Sequence, residues 1–148
     1  MSMLDFFDDS LLVFTGAKGT GKTYMAYSLA PKDQKDRMYV HDAENSGSAF
    51  AKQFEELGSP LGYYLNLDDR WTEALPSDKD LLSRLRSGDL PWASRKERDS
   101  MISYYNFVLE DIDKNLTAGE YDVYVHDTVS RFEAGMAAWV EANQKKSG

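Results

Sequence analysis

One segment of the sequence has the residue types and spacing of a phosphate-binding loop. Residues 16–23 match the pattern G-x-x-x-x-G-K-S/T at every specified position. The segment consists of Gly16, Ala17, Lys18, Gly19, Thr20, Gly21, Lys22 and Thr23. Glycines let the loop turn tightly and bring backbone N–H groups against phosphate oxygens. The lysine before Thr23 can reach the terminal phosphates, and the Thr23 hydroxyl can coordinate Mg²⁺. The segment therefore predicts a site for ATP, or a related nucleotide, with Mg²⁺.

The sequence on either side of the loop supports this interpretation. The apolar run over 11–14 predicts a buried strand before the loop. A helix is predicted over 22–30, where Pro31 stops it. A strand, a glycine-rich loop and a helix in this order are the context in which the motif binds phosphate. Within the loop, Lys18 occupies a variable position, and we expect it to be solvated.

Two aspartates could complete the Mg²⁺ site, because each ends a predicted strand. Asp42 follows a strand over 38–41, and Asp127 follows a strand over 121–126. A carboxylate at the end of a neighbouring strand holds the Mg²⁺ shell in nucleotide triphosphatases. We favour Asp127 because its strand follows a long predicted helix and precedes another one. Helix capping is the alternative role for this residue.

Hydrolysis also needs a group that polarises the attacking water. Many nucleotide triphosphatases carry a glutamate directly after the strand-end aspartate, but Thr128 stands there in this sequence. Glu44 lies two residues after Asp42, at the mouth of the second predicted strand. It could face the γ-phosphate from the side. On position alone, the alternative is a solvated loop glutamate.

The rest of the chain alternates predicted helices and strands, which favours βαβ units and a parallel sheet. After residue 45 we predict a helix over 46–57, a strand over 61–67, a short helix ending at Gly88, a long helix from Ser94 to Gly119, the strand over 121–126 and a helix from Ser130 to Ala142. Ser94 and Glu97 match a capping box at the start of the long helix.

Apolar spacing predicts the buried faces of the last two helices. On the long helix the predicted face is Met101, Tyr105, Val108, Ile112 and Leu116. On the last helix it is Phe132, Met136, Trp139 and Val140. His41 and His126 each precede a strand-end aspartate, and we expect them to be hydrogen-bonded on a sheet face rather than to bind zinc.

Composition limits the class of protein. The 148 residues suggest one domain over 1–148, with an acidic, aromatic lead-in over 1–10. The absence of cysteine excludes a disulfide scaffold and a thiolate metal site. A net charge of −8 argues against a general nucleic-acid-coating protein. With no signal peptide and no apolar run of membrane-spanning length, we expect a cytoplasmic chain without membrane contact.

Two segments resemble RecA-like recombination ATPases. Residues 38–45, Met-Tyr-Val-His-Asp-Ala-Glu-Asn, resemble the family's strand that ends in Asp-Ala-Glu, whose glutamate activates water. Residues 122–129 look like its Walker B strand, which ends in an aspartate followed by a small hydroxyl residue. The order also agrees: phosphate loop, glutamate strand, helix, short strand, long helix, Walker B strand. The resemblance covers most of residues 11–140.

This resemblance implies a three-layer αβα P-loop NTPase fold with a mostly parallel central sheet, of the AAA/RecA-like kind that phages encode. It implies that Lys22 binds phosphates and that Thr23 and Asp127 hold Mg²⁺. Glu44 would orient the water, and Asp42 would be a supporting residue at the strand end. The implied activity is ATP hydrolysis coupled to DNA recombination or replication in a homo-oligomer, with an arginine finger from a neighbouring subunit.

The sequence also departs from the family. Residues 71–93 look like an insertion, and no basic DNA-binding loop is recognisable. The family's contacts to the nucleotide base fall a turn or two after the glutamate, where this chain has Ser48 and Ala51, with Phe50 as a substitute. A RecA-like core has a further strand after the Walker B helix. We therefore expect a truncated chain, or a core that another chain completes.

Two other functions stay open on the sequence. A P-loop kinase would need a lid of arginines over its acceptor, a role open to Arg84, Arg86, Arg95 and Arg98. The third hypothesis is a nucleotide-dependent switch or assembly module with negligible turnover.

Overall fold

The structure is a computed structural model that describes residues 13–14, 21–116 and 120–147, with side chains up to residue 144. This part of the chain is an α/β protein with three parallel strands and six α-helices. Its residues fall into two compact units, one drawn from 1–67 and 119–127, the other from 68–118 and 128–148. The predicted α/β class and parallel sheet are confirmed. The three-layer RecA-like arrangement and the single domain stay predictions.

The described residues of the first unit form a three-stranded parallel sheet, and its middle strand comes first along that part of the chain. In chain order the strands are β1 (Met38–Asp42), β2 (Tyr63–Asn66) and β3 (Val123–Asp127). β1 pairs with β2 on one side and with β3 on the other. The register places Asp42 beside both Asn66 and Asp127, so the three strands end level with one another.

Two helices of the first unit, α1 (Lys22–Tyr27) and α2 (Ser48–Glu56), supply side chains to the core on one face of the sheet. Alternation along a strand sends Met38 and Val40 to the same side. The buried core is Ala26, Tyr27, Ala30, Met38, Val40, Val123 and Val125. Helix α1 ends at Tyr27, three residues earlier than the sequence predicts.

The predicted strand before the phosphate loop is only partly within the described residues. Val13 and Phe14 lie in no strand, and Leu11 and Leu12 lie outside the described residues. Phe14 packs against the core of the first unit.

A buried lysine just before β1 donates hydrogen bonds to carbonyls at and after the end of α1. Lys35 is 5% exposed, and its Nζ donates to the carbonyls of Tyr27 and Ala30, 2.7 Å from the latter. The same ammonium lies 4.9 Å from the centre of the Phe54 ring. Burial lowers the pKa of Lys35. A helix leaves its last carbonyls without internal partners, and here one lysine supplies donors at the end of α1.

The second unit is helical, with α3 (Asp68–Trp71), α4 (Asp78–Arg86), α5 (Arg95–Asn115) and α6 (Ser130–Ser147). Ser94 caps α5 as predicted, accepting the backbone N–H of Glu97 at 3.1 Å. The Glu97 carboxylate accepts the N–H of Ala93 at 2.7 Å, one residue before the cap. Half of the predicted capping box is therefore formed, and the other half is shifted by one residue.

The predicted burial of Met136, Trp139 and Val140 on α6 is wrong, whereas Phe132 is half-buried and packs 5.2 Å from the Tyr105 ring. Trp139 is 41% exposed, and Met136 and Val140 are exposed to a similar extent. The face turned inward instead carries Arg131, Ala134, Gly135 and Ala138. A Cβ on Gly135 would lie 2.6 Å from the carbonyl oxygen of Met101, so α5 and α6 approach closely through small residues.

On α5, Met101 and Val108 are buried as predicted, but the buried aromatic residue between them is Tyr104 rather than Tyr105.

Among the described residues, no helix has both the length and the apolar character needed to cross a membrane.

Candidate functional site

Part of the predicted phosphate loop can be placed. The structure describes these predicted site residues: Gly21, Lys22, Thr23, Glu44 and Asp127. The other predicted loop residues, Gly16, Ala17, Lys18, Gly19 and Thr20, lie outside the described residues. All of the placed residues belong to the first unit.

The start of α1 explains why the motif needs its last glycine. Gly21 has a φ of 86°, in the left-handed region, and its carbonyl accepts the first helical hydrogen bond from Met25 at 2.9 Å. A side chain at this φ would be strained, whereas glycine adopts it freely. The turn at Gly21 makes Lys22 and Thr23 the first residues of the helix, and both are half-buried.

The central contact of the site joins α1 to the end of β3. The Thr23 hydroxyl donates to Oδ2 of Asp127 at 2.7 Å, across 104 positions of sequence. The Ser46 hydroxyl donates to the same oxygen at 3.0 Å. Ser46 is not among the predicted site residues, although its hydroxyl lies only two positions after Glu44 in the sequence. The fold thus brings together a hydroxyl and a carboxylate, the two protein groups that hold Mg²⁺ in P-loop proteins.

The donor set suits a metal that arrives with a nucleotide. In the part of the chain that the structure describes, no three histidine, cysteine, aspartate or glutamate side chains cluster to hold a metal ion. Mg²⁺ bound with a nucleotide needs only one or two carboxylates, because phosphate oxygens and water fill its other positions. The Thr23–Asp127 pair fits that arrangement.

Asp42 is the other strand-end aspartate, and its carboxylate is fully occupied elsewhere. Asp42 is 0% exposed. Its Oδ1 accepts the backbone N–H groups of Glu44 at 3.2 Å and Ser46 at 3.1 Å. Its Oδ2 accepts the N–H of Gly47 at 2.8 Å and the hydroxyl of Tyr64 at 2.5 Å. All four bonds are accepted by the two carboxylate oxygens, so Asp42 holds the following turn in place.

This turn is what presents Glu44. Glu44 is exposed at the carboxyl edge of the sheet, and Ser46 of the same turn contacts Asp127. Asn45 has a φ of 58°, and its side-chain oxygen accepts from the Asn66 amide at 2.7 Å. The left-handed residue and the bonds to Asp42 give the turn a defined path. The structure therefore places Glu44 on a turn that touches the Thr23–Asp127 pair.

A buried phenol lies beneath the turn. Tyr27 is 1% exposed, and a Cβ on Gly47 would lie 1.9 Å from its hydroxyl oxygen. Burial raises the pKa of Tyr27 far above its ordinary value, and the nearby Asp42, Tyr64 and Asp127 raise it further. Tyr27 therefore stays neutral, so it adds no charge beneath the two aspartates.

The two histidines lie on strands β1 and β3 and share one partner. The Tyr124 hydroxyl lies 2.8 Å from Nδ1 of His41 and 2.8 Å from Nδ1 of His126. Alternation along the strands separates these side chains from Asp42 and Asp127 by face. The histidines are thus tied into the sheet, as the sequence predicts.

Comparisons of the chain with protein-family models, with curated proteins and with solved structures found no match. The function is therefore argued from the residues and their geometry.

The hydrogen bonds of Asp42 lead to a stability prediction. Replacing Tyr64 with phenylalanine removes one of four donors from a buried carboxylate. We expect Tyr64→Phe to lower the free energy of unfolding by about 1–3 kcal/mol, the usual cost of removing one hydrogen-bond partner from a buried polar group. Urea denaturation followed by circular dichroism measures the change.

Tyr24→Phe is the matched control, because Tyr24 is 62% exposed. Its effect should stay within about 0.5 kcal/mol. Equal stabilities for the Tyr64 variant and the parent would show that the Tyr64 bond does not hold Asp42.

Proposed function

We propose that this chain is the nucleotide-binding domain of a RecA-like P-loop ATPase that hydrolyses ATP with Mg²⁺. The observation that carries the proposal is the 2.7 Å hydrogen bond between Thr23 and Asp127. The sequence motif at residues 16–23 and the strand-end aspartate are independent features of the chain, 104 positions apart. Their meeting at one point is what a phosphate loop and a Walker B carboxylate require.

The order of the elements supports the RecA-like resemblance. The described chain runs from α1 through β1, α2, β2, α3, α4 and α5 to β3. Apart from the short helices α3 and α4, this is the order of elements on which the resemblance is based. The strand that leads to Glu44 also pairs directly with the strand that ends in Asp127.

Each site residue has a defined task in this proposal. Lys22 binds the terminal phosphates as a point charge at the start of α1. Thr23 and Asp127 hold Mg²⁺, which when bound neutralises the charge that develops on the phosphates. Ser46, which already donates to Asp127, keeps that carboxylate oriented.

Glu44 is the residue that orients the attacking water. Its turn is held by Asp42 on one side and touches Asp127 through Ser46 on the other. A carboxylate that is exposed at this edge can accept a proton from water while the buried Asp42 cannot reach it. In this proposal Asp127 binds the metal, and Asp42 supports the turn that carries Glu44, the general base.

The resemblance to RecA-like ATPases also implies that the chain forms a homo-oligomer. A homo-oligomer would supply an arginine finger from a neighbouring subunit, so the isolated chain should turn over slowly. Work on DNA, in recombination or replication, is the process to which hydrolysis would be coupled.

Two of the four arginines on which the kinase hypothesis depends are engaged by neighbouring side chains and carbonyls. Arg84 donates to the Glu97 carboxylate at 2.9 Å and to the Pro91 carbonyl at 2.7 Å. Arg98 donates to the Glu141 carboxylate at 3.0 Å. Arg84 and Arg98 therefore have partners within the helical unit, which favours the ATPase over the kinase.

Lys22 tests nucleotide binding itself. Lys22→Ala removes the charge that faces the phosphates and should weaken Mg-ATP binding by about 10- to 100-fold, the equivalent of one charged hydrogen bond. Isothermal titration calorimetry measures the affinity. The control is Lys52→Ala, an exposed lysine on α2 that should bind as the parent does. A Lys22 variant with parental affinity would refute the site as a whole.

Thr23 tests the metal assignment. Thr23→Val keeps the shape of the side chain but has no hydroxyl, whereas Thr23→Ser retains one. We expect the valine variant to lose most of the Mg²⁺ dependence of ATP binding and the serine variant to keep it. Titrations of ATP with and without Mg²⁺ give the ratio. An unchanged ratio in the valine variant would remove Thr23 from the metal site.

Glu44 tests the hydrolytic step. Glu44→Gln keeps the size and polarity of the side chain but is a poor proton acceptor. We expect ATP to bind as before and hydrolysis to fall about 10²- to 10⁴-fold, the usual contribution of a general base. Phosphate release under single-turnover conditions measures the rate, with the exposed Glu55→Gln on α2 as control. Normal hydrolysis by the Glu44 variant would mean that another group activates water, and undetectable hydrolysis by the parent would favour the switch hypothesis.

A further inference from the structure

An exposed aromatic ring stands next to the residues assigned to phosphate and metal. Tyr24 directly follows Thr23 on α1 and is 62% exposed. A tyrosine on a solvated helix face leaves a large apolar surface in water, which costs free energy unless something covers it. The proposed roles of Lys22, Thr23, Glu44 and Asp127 do not use this ring.

The ring is supported from behind by a row of aromatic side chains. The Tyr24 ring centre lies 6.0 Å from that of Phe50 on α2, tilted by 53°. Phe50 in turn lies 5.9 Å from the buried Tyr27, edge to face. Tyr27 continues the row to Phe54 at 6.5 Å. The row therefore connects the buried Tyr27 to the exposed Tyr24 through Phe50. Packing against Phe50 limits the positions that the Tyr24 ring can adopt.

The direction of the ring relative to the phosphate site follows from helix geometry. Side chains on a helix lean toward its N-terminal end. Tyr24 lies one turn before Tyr27 on the same side of α1, and its Cα–Cβ bond leans toward the end where Lys22 and Thr23 lie. In a nucleotide with its phosphates at Lys22, the base lies beyond the ribose and is the aromatic group that the protein can contact. An exposed aromatic face at this end is suited to stack on that base.

We propose that Tyr24, backed by Phe50, is the surface on which the base of the bound nucleotide stacks, so that the site takes purine nucleotides in preference to pyrimidine nucleotides. The inference rests on the proposed function, because it needs the phosphates at Lys22. The free energy of stacking becomes more favourable as the area of the base increases. Any base can stack, because every base has a π-face. A purine covers more of the ring than a pyrimidine does. The site would thereby distinguish a nucleotide from a bare phosphate chain.

The test compares ligands that share their phosphates and differ in the base. Calorimetry with Mg-ADP, Mg-CDP and Mg-pyrophosphate avoids turnover, because the site does not hydrolyse them. We expect Tyr24→Ala to weaken ADP binding by about 5- to 100-fold, the range measured for a lost base–aromatic stack, with a smaller loss for CDP. Pyrophosphate affinity should stay within about twofold of the parent, which also shows that the variant is folded at the loop.

Two further variants separate stacking from other effects. Tyr24→Phe keeps the ring and should bind ADP within about threefold of the parent, because the stack does not use the hydroxyl. Met25→Ala removes the neighbouring side chain, which is 53% exposed, and should change none of the three affinities.

The outcomes distinguish this inference from the function on which it rests. Unchanged ADP binding by Tyr24→Ala, or an equal loss of ADP and pyrophosphate, would overturn the stacking proposal. If Lys22→Ala still lost both ligands, the nucleotide site itself would stand. If the parent bound neither ADP nor pyrophosphate, both proposals would fall together.

Discussion

The first unit depends on the hydrogen bonds of one buried carboxylate. Asp42 ends the central strand, is shielded from water, and accepts three backbone N–H groups and the Tyr64 hydroxyl. A buried carboxylate is costly unless its oxygens are hydrogen-bonded, so the turn after β1 must keep this shape. The same turn carries Glu44 and delivers Ser46 to Asp127. The geometry of the candidate site thus follows from the need to solvate Asp42 with protein groups.

Parallel pairing supplies the second condition. Because β1 and β3 run in the same direction and in register, Asp42 and Asp127 end side by side. Their environments then give them different tasks, since Asp42 is enclosed by its turn whereas Asp127 is half-buried beside the Thr23 hydroxyl. The same tetrapeptide, Tyr-Val-His-Asp, therefore ends in a supporting carboxylate in β1 and in a candidate metal ligand in β3.

Local signals in the sequence predicted most elements but not which surfaces they bury. The Ser94 cap and the strand that begins at Met38 follow from short-range chemistry, and the structure has both. Trp139 looked like core because its spacing fits an apolar stripe, yet it is 41% exposed. Helices α5 and α6 contact each other through Gly135 and its small neighbours. Small residues let the two backbones approach closely and pack densely, whereas a large side chain at this position would hold them apart. Periodicity reports which residues share a face but not which face the neighbouring helix selects.

The sequence by itself determined the phosphate-loop motif, the two candidate strand-end aspartates and Glu44, because these depend on residue type and on spacing along the chain. Only the tertiary structure decided which partners these groups have. Thr23 bonds to Asp127 across 104 positions, and Ser46 bonds to the same carboxylate across 81 positions. Tyr64 bonds to Asp42 across 22 positions. Such contacts arise from strand order and register, which long-range pairing sets and which no local window of sequence contains.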